Sequence, residues 1–120
     1  MNIESFRAYC LSLPETTEDM PFGDTVLTFR LKGKIFACVG LDKPDLVCMK
    51  CDPERAIELR EQHSAIEGAF HWNKKYWNQV WLNGDVDDTL LRQLVDHAWD
   101  EVNRKLPKKD RVVRRRDERI

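Results

Sequence analysis

The residues best suited to chemistry lie close together in the second half of the chain. The segment His71-Trp72-Asn73-Lys74-Lys75-Tyr76-Trp77 combines an imidazole, a carboxamide, two ammonium groups and three large aromatic rings. Aromatic rings stack on nucleobases, while ammonium and amide groups contact phosphates and base edges. The segment therefore predicts a nucleic-acid or ligand-binding surface formed by His71, Trp72, Asn73, Lys74 and Lys75.

A second interpretation assigns the same residues to structure. Trp77 and Trp81 have the same parity along a predicted strand, so both side chains would pack on one face. His71 and Asn73 would then hydrogen-bond the backbone of a tight crossover between two strands. The exposure of Trp72 separates the two interpretations, because a large exposed apolar ring beside two lysines is typical of an interaction site.

Three cations gather around a predicted hairpin. Arg30 and Lys32 lie at the end of an alternating strand, Lys34 precedes the next strand, and Gly33 stands between the two lysines. Glycine readily takes the positive φ of a tight hairpin turn. A basic hairpin tip places cations near DNA phosphates, so Lys32 and Lys34 join the candidate binding residues. The structural alternative is that lysines protect exposed strands from edge-to-edge pairing.

The four cysteines show no spacing that requires a metal or a disulfide. Cys48 and Cys51 have the spacing of a metal knuckle, yet they lie on a predicted strand, where positions three apart point to opposite faces. Cys10 and Cys38 are not spaced as partners. We expect all four thiols to be reduced and to pack as small hydrophobic groups.

Histidines and carboxylates likewise give no metal or catalytic prediction. His63, His71 and His97 are not accompanied by a dense enough set of carboxylates for a metal site. The sequence contains no nucleophile motif and no phosphate-binding glycine loop. His71 with Asp24 or Glu67 is the acid–base pair to consider, but nothing identifies a substrate. The sequence therefore predicts no catalytic residue, no metal and no cofactor.

Apolar periodicity outlines the elements that must position these residues. A helix is predicted over residues 2–13, and a long amphipathic helix runs from the acidic cap at 85–88 to Pro107. Thr16-Thr17-Glu18-Asp19 is similar to a capping sequence for one short helical turn. The remaining predicted elements are strands at 25–32, 35–41, 46–51, 66–70 and 77–82 and a helix at 53–62.

The resulting order of elements is α-β-β-β-α-β-β-α. Residues 35–41 are apolar on both faces, which predicts that this strand is central. Strands that come in runs, and do not alternate singly with helices, favour an antiparallel sheet. We therefore predict the α+β class, with about five strands covered on one face by the N- and C-terminal helices.

Length, composition and charge indicate one cytoplasmic domain with a basic end. The 120 residues are 42% hydrophobic and 34% charged, which is typical of a chain with a single globular core. The first residues lack the apolar run of a signal peptide, and no apolar stretch is long enough to span a membrane. Net charge is −1, but residues 103–120 contain nine Lys or Arg against three Asp or Glu. We expect a monomeric domain at 1–107 and a flexible basic tail at 108–120 that binds phosphates or an acidic partner.

Short motifs distributed over the chain carry a family resemblance. They are Leu13-Pro14, Pro21-Phe22-Gly23, Gly33-Lys34-Ile35-Phe36-Ala37, Lys50-Cys51-Asp52-Pro53, His71-Trp72-Asn73-Lys74 with Trp77, and Leu106-Pro107. In their order and spacing these motifs resemble the MmcQ/YjbR family of small bacterial proteins, to about residue 107. The resemblance implies a frataxin-like (CyaY-like) α-β sandwich, described for the family as a double-wing DNA-binding arrangement. The basic tail lies outside the family pattern.

Two hypotheses for function follow. The first is a DNA-binding accessory protein without enzymatic activity, which contacts double-stranded DNA with the Lys32-Gly33-Lys34 hairpin, the 71–75 segment and the basic tail. The second is a module that binds another protein or a small ligand through the same aromatic segment, which suits the overall charge of −1 better.

Overall fold

Helices and strands follow the predicted order, with one strand added near the start of the chain. The computed structural model describes residues 1–113. The elements are α1 (Ile3–Ser12), β1 (Thr16–Asp19), β2 (Val26–Leu31), β3 (Lys34–Gly40), β4 (Leu46–Lys50), α2 (Pro53–Gln62), β5 (Ile66–Gly68), β6 (Trp77–Trp81), α3 (Asp88–Asn103) and a 3-10 turn (Lys108–Asp110).

The strands form one antiparallel sheet in the order β1-β2-β3-β4-β6-β5. The predicted α+β class is confirmed, and the apolar strand β3 lies between β2 and β4, as its two apolar faces indicate. The sheet has six strands where about five are predicted. The likeness to the frataxin fold stays a prediction.

The additional strand is β1. The prediction of a helical turn at Thr16–Asp19 is wrong, because these residues pair with β2. Glu15 has a φ of 53°, which turns the chain back after α1. Asp19 accepts hydrogen bonds from Thr28 and, at 2.9 Å, from Arg30. Strand pairing with residues farther along the chain thus overrides the local capping preference.

The predicted hairpin has a two-residue turn at Lys32 and Gly33. Leu31 pairs with Lys34, and the two residues between them have φ values of 51° and 82°. Positive φ at both central residues is the conformation that matches the twist of the flanking strands. The turn therefore sets the β2–β3 register, as its glycine predicts.

All three helices pack on the same face of the sheet, which we call the helix-covered face. Phe6 of α1, Leu59 of α2 and Trp99 of α3 belong to one buried cluster with residues from β2, β3, β4 and β6. Trp99 is fully buried, and its indole N–H donates to the Pro14 carbonyl at 3.1 Å. The six apolar residues that predict the last helix are all buried, namely Leu91, Leu94, Val95, Ala98, Val102 and Leu106.

The start of the predicted tail folds back along α3. Asn103 exchanges two hydrogen bonds of 2.8 Å with the backbone of Val112, and Arg111 donates to the Leu106 carbonyl at 3.1 Å. Val112 packs against the main core. The rest of the predicted tail, 114–120, lies outside the described residues, and the domain boundary at 107 stays a prediction.

Candidate ligand-binding cavity on the open face of the sheet

Across the described residues 1–113, the second face of the sheet carries no helix, and we call it the open face. Strand parity places Cys38 of β3 and Cys48 of β4 on this face, directly opposite each other in the register. On β6, Trp77, Gln79 and Trp81 project to the same side, with Gln79 opposite Cys48. Cys38, Cys48 and Trp77 belong to a second buried cluster, separate from the main core.

The aromatic segment after β5 folds over this face. Trp72 stacks on Trp77 with ring centres 4.6 Å apart and meets Phe22 edge-on at 6.2 Å. These geometries are the favourable ones for aromatic pairs. Trp72 is half-buried, with Trp77 beneath its ring and Phe22 at its edge. The ring is therefore a wall of the open face and not a fully exposed platform.

Hydrogen bonds to the backbone fix the conformation of the segment. The Asn73 side-chain oxygen accepts a hydrogen bond from the Lys75 amide at 2.9 Å, and the backbone carbonyl of Asn73 accepts one from the Tyr76 amide at 3.1 Å. Arg60 donates to the Lys74 carbonyl at 3.2 Å, which ties the segment to α2. Asn73 thus has the backbone-bonding role that the structural interpretation predicts for it.

Trp72 and the open face enclose a cavity of about 760 Å³, which opens on the surface. Three of its lining side chains are large exposed aromatics, at 58% exposure for Phe22, 74% for Phe70 and 38% for Trp81. Large apolar groups gathered around one concavity are typical of a binding site. The cavity is lined by Phe22, Thr25, Val26, Cys38, Val39, Gly40, Asp42, Lys43, Leu46, Val47, Cys48, Phe70, His71, Trp72, Gln79 and Trp81.

A short polar network crosses the β6 side of the cavity. The Glu67 carboxylate accepts from the Gln79 amide at 2.7 Å and from the Trp81 indole N–H at 3.1 Å. The Gln79 side-chain oxygen accepts from the Phe70 amide at 3.0 Å. The network holds Trp81 and the start of the aromatic segment in place, so this wall of the cavity is largely pre-formed.

Two thiols lie on the floor of the cavity. The pKa of Cys38 is lowered, first by a hydrogen bond from the Cys48 thiol and further by one from the Trp72 side chain, while burial opposes the shift. The pKa of Cys48 is raised by the same thiol–thiol contact and by burial. The contact between the two thiols therefore shifts their pKa values in opposite directions, with that of Cys38 the lower of the two.

A group of lysines lies beyond Trp77, at the end of the sheet that carries the β2–β3 turn. The ammonium groups of Lys75 and Lys105 lie 5.4 and 5.3 Å from the centre of the Tyr76 ring. Partial burial lowers the pKa of Lys50, and the like charges of Lys105 and Lys34 lower it further. We call these four residues, Lys34, Lys50, Lys75 and Lys105, the lysine cluster.

The sequence-predicted site residues fall into separate groups. His71 and Trp72 line the cavity, while Lys34 and Lys75 belong to the lysine cluster. Lys32 pairs with Glu15 at 2.8 Å across the neighbouring strand end. Two more of the predicted residues lie beside these groups: Asn73 bonds the backbone of its own segment, and the Lys74 ammonium lies 5.8 Å from the Phe70 ring centre.

The residues of these two regions that sequence reasoning missed include Phe22, Cys38, Cys48, Lys50 and Lys105. Parity on both sides of the predicted turn at 42–45 would have placed the two cysteines opposite each other. The other three residues come together only through the tertiary fold, so no local pattern identifies them.

Cys48 and Cys51 project to opposite faces, as the strand parity predicts. Cys48 packs in the open-face cluster, whereas Cys51 packs in the main core. Within residues 1–113, no three His, Cys, Asp or Glu side chains gather closely enough to hold a metal ion. In the same residues, no helix is long and apolar enough to cross a bilayer.

Comparison with known proteins identifies relatives over nearly the whole chain. The YjbR family pattern matches residues 11–101. The Escherichia coli K12 protein YjbR is 29% identical over 114 residues, which cover 94% of this chain and 97% of that protein. The YbdF protein of Escherichia coli O157:H7 is 30% identical over 108 residues, or 89% of this chain and 88% of that one.

Solved structures give the same picture. Deinococcus radiodurans protein DR2400 superposes with a TM-score of 0.85 at 33% identity, over 90% of this chain and 83% of that chain. A Pseudomonas syringae crystal structure gives a TM-score of 0.68 at 25% identity, over 82% of this chain and 96% of that chain. The residues matched by the family pattern, 11–101, include every residue that lines the cavity.

Proposed function

The chain belongs to the YjbR family, and on that premise we propose that it is a binding protein whose open-face cavity holds one small, largely apolar and planar molecule. The observation that carries this proposal is the 760 Å³ cavity walled by Trp72. Cavities of about 300–1,000 Å³ are the usual size for small-molecule sites.

The chemistry of the walls favours a flat ligand. Phe22, Trp72 and Trp81 present aromatic rings to the cavity, and rings of this kind stack on or meet the edges of planar molecules. Gln79 is held by Glu67, so its amide is already oriented before a ligand enters. A ligand with an apolar ring and one or two polar groups matches this arrangement.

Concavity favours a small molecule over a protein partner. Protein interfaces bury roughly 800 Å² on each side over a surface that is mostly flat. The apolar rings of the open face instead surround a cavity, with His71 at one of its edges. A protein would leave much of that concavity unfilled, whereas a small molecule fills it.

The test uses 1-anilinonaphthalene-8-sulfonate as a planar, mostly apolar probe. We expect saturable binding at one site per chain, weakened at least about tenfold by Trp72→Ala, which removes the wall. Leu46→Trp fills the cavity from β4 and should also abolish binding. Ile57→Ala removes an exposed apolar side chain on α2, far from the cavity, and should leave binding unchanged.

Two results contradict the proposal. One is binding that Leu46→Trp leaves intact while circular dichroism shows a native fold. The other is equal weakening by Trp72→Ala and Ile57→Ala, because that pattern indicates adsorption to any apolar surface.

A second candidate, binding of double-stranded DNA by a basic surface, is favoured by one specific observation. The ammonium groups of Lys75 and Lys105 lie over the Tyr76 ring, and the charges of Lys105 and Lys34 act on Lys50. Clustered ammonium groups beside an aromatic ring suit contact with phosphates and sugars. Lys32 contributes less than the sequence predicts, because Glu15 neutralises it.

A salt titration of duplex binding tests this candidate. Contact with Z phosphates gives a log–log slope near −0.9Z, so the Lys50→Ala/Lys105→Ala double variant should reduce the slope by about two. Lys43→Ala, at the opposite end of the sheet, is the matched control. Absence of measurable binding at about 50 mM salt would contradict a role in DNA binding.

A further inference from the structure

The two cysteines on the cavity floor are close enough for a covalent bond between them. Cys38 and Cys48 are direct partners in the antiparallel register of β3 and β4. Directly opposed residues in such a pair have Cα atoms about 4.5–5.5 Å apart, which lies within the roughly 4.4–6.8 Å range of disulfides. The Cα separation of this register therefore suits a disulfide between the two residues.

The other two cysteines provide an internal contrast. Cys10 is fully buried in the main core, and burial raises the pKa of its thiol. Burial likewise raises the pKa of Cys51 to about 11. Neither residue lines the cavity, whereas Cys38 and Cys48 both do. The fold thus separates two inert thiols on the helix-covered face from two that face a space large enough for a reagent.

The two cavity thiols are unequal. A hydrogen bond from Cys48 lowers the pKa of Cys38 against the effect of burial, the Trp72 side chain lowers it further, and the same thiol–thiol contact raises the pKa of Cys48. Donors that point at a sulfur stabilise its thiolate, and the thiolate is the nucleophile in thiol chemistry. Cys38 is therefore suited to attack a disulfide first, and Cys48 is suited to attack the resulting mixed disulfide second.

We propose that Cys38 and Cys48 form a thiol–disulfide exchange site for small disulfides that enter the cavity, with Cys38 as the attacking residue and Cys48 as the resolving residue. The inference rests on the proposed function only in that the disulfide must enter the same cavity. The dithiol is the chemical feature that distinguishes this cavity from a passive apolar one.

The exchange takes place in two balanced steps. The Cys38 thiolate attacks one sulfur of a disulfide R–S–S–R, forms a Cys38–S–S–R bond and releases R–S⁻. That thiolate takes the Cys48 proton, and the Cys48 sulfur then attacks the Cys38 sulfur and releases a second R–S⁻, which is protonated from water. Two cysteine thiols are oxidised to one disulfide, and R–S–S–R is reduced to two R–SH.

The experiment treats the full chain with glutathione disulfide and maps the products by mass spectrometry without denaturant. We expect a Cys38–Cys48 disulfide, with Cys10 and Cys51 still reduced. Cys48→Ser keeps a hydrogen-bond donor but removes the resolving sulfur, so it should trap glutathione on Cys38. Cys38→Ser should leave the cavity unmodified, and Trp72→Phe should slow the reaction several-fold because it keeps the ring but removes the N–H donor.

Specific results would overturn the inference. One is modification of Cys10 or Cys51 before Cys38. Another is that glutathione attaches to Cys48 in the Cys38→Ser variant as fast as it attaches to Cys38 in the Cys48→Ser variant. If the naphthalene probe binds but Cys38 reacts only in denaturant, the exchange site is wrong and the ligand cavity stands. If exchange proceeds but the probe does not bind, the ligand proposal fails alone.

Discussion

Apolar side chains lie on both faces of the sheet, yet the two faces are covered in different ways. On the helix-covered face, three helices bury Phe6, Phe29 and Trp99 completely. On the open face, Trp72 and Phe22 cover only part of the sheet and leave the cavity. An antiparallel sheet with one wet face normally alternates apolar and polar residues, so the apolar patch of Cys38, Cys48 and Trp77 on the open face indicates that something else covers it. The contrast assigns stability to one face and binding to the other.

The largest expected effect comes from comparing the stability of variants at two tryptophans, one on each face. Trp99→Ala should reduce the free energy of unfolding by about 3–5 kcal/mol, because it opens a cavity in the main core. Trp72→Ala removes a half-buried ring that already borders a cavity, so its cost should be about 1 kcal/mol. Urea denaturation of both variants measures the difference. Equal losses would contradict the division of roles between the faces.

A smaller test concerns the position of the aromatic segment. Asn73→Ala removes the acceptor for the Lys75 amide, which should cost about 1 kcal/mol of stability and weaken probe binding several-fold through a displaced Trp72. Asn73→Asp keeps a side-chain oxygen in the same place and should stay close to the wild type. Fluorescence titration with the naphthalene probe checks both variants. If Asp and Ala behave alike, the hydrogen bond does not position the wall.

The smallest expected effect is a pH dependence of stability that arises from a histidine on the helix-covered face. The Nε2 atom of His97 accepts from the Asp52 amide at 3.0 Å, and burial, followed by the charge of Arg55, lowers the pKa of His97. Below the ordinary histidine pKa of about 6.5, His97 binds a proton in the unfolded chain but not in the folded chain. Stability should therefore fall as pH decreases from about 6.5 toward the lowered folded value.

His97→Gln keeps an acceptor without a titrating group and should flatten this part of the stability curve. Urea midpoints measured at about pH 7 and about pH 5.5 check it, since ordinary carboxylates titrate mostly below that range. An unchanged slope in the variant would assign the pH dependence to other groups. Probe binding in the cavity should be the same for both proteins, because His97 does not line it.

Local periodicity predicts the covered side of the molecule well. The stripe from Leu91 to Leu106 predicts α3, and the two apolar faces of residues 35–41 predict the central position of β3. The strand β1 is missed because Thr16–Asp19 is extended only through its pairing with β2. Local patterns therefore predict an element whose own apolar periodicity marks its buried face. They miss an element, such as β1, whose conformation depends on pairing with another strand.

The candidate site is predicted only in part. The sequence identifies Trp72 and Asn73 as distinctive, but the cavity depends on a fold that brings Phe22, Cys38 and Trp72 together from three distant positions. The lysine cluster is equally non-local, since Lys105 follows α3 while Lys34 begins β3. Residues that meet through tertiary structure leave no spacing signal in the chain.

The indole N–H signals of the four tryptophans test the central claim most directly, because they report on both faces in one spectrum. The measurement is a titration of the ¹⁵N-labelled chain with the naphthalene probe, followed by proton–nitrogen correlation NMR. The account predicts that the indole signals of Trp72 and Trp81 shift saturably, while that of the buried Trp99 stays in place. Shifts at Trp99 with none at Trp72, or no saturable shift at any tryptophan, would contradict a ligand cavity on the open face.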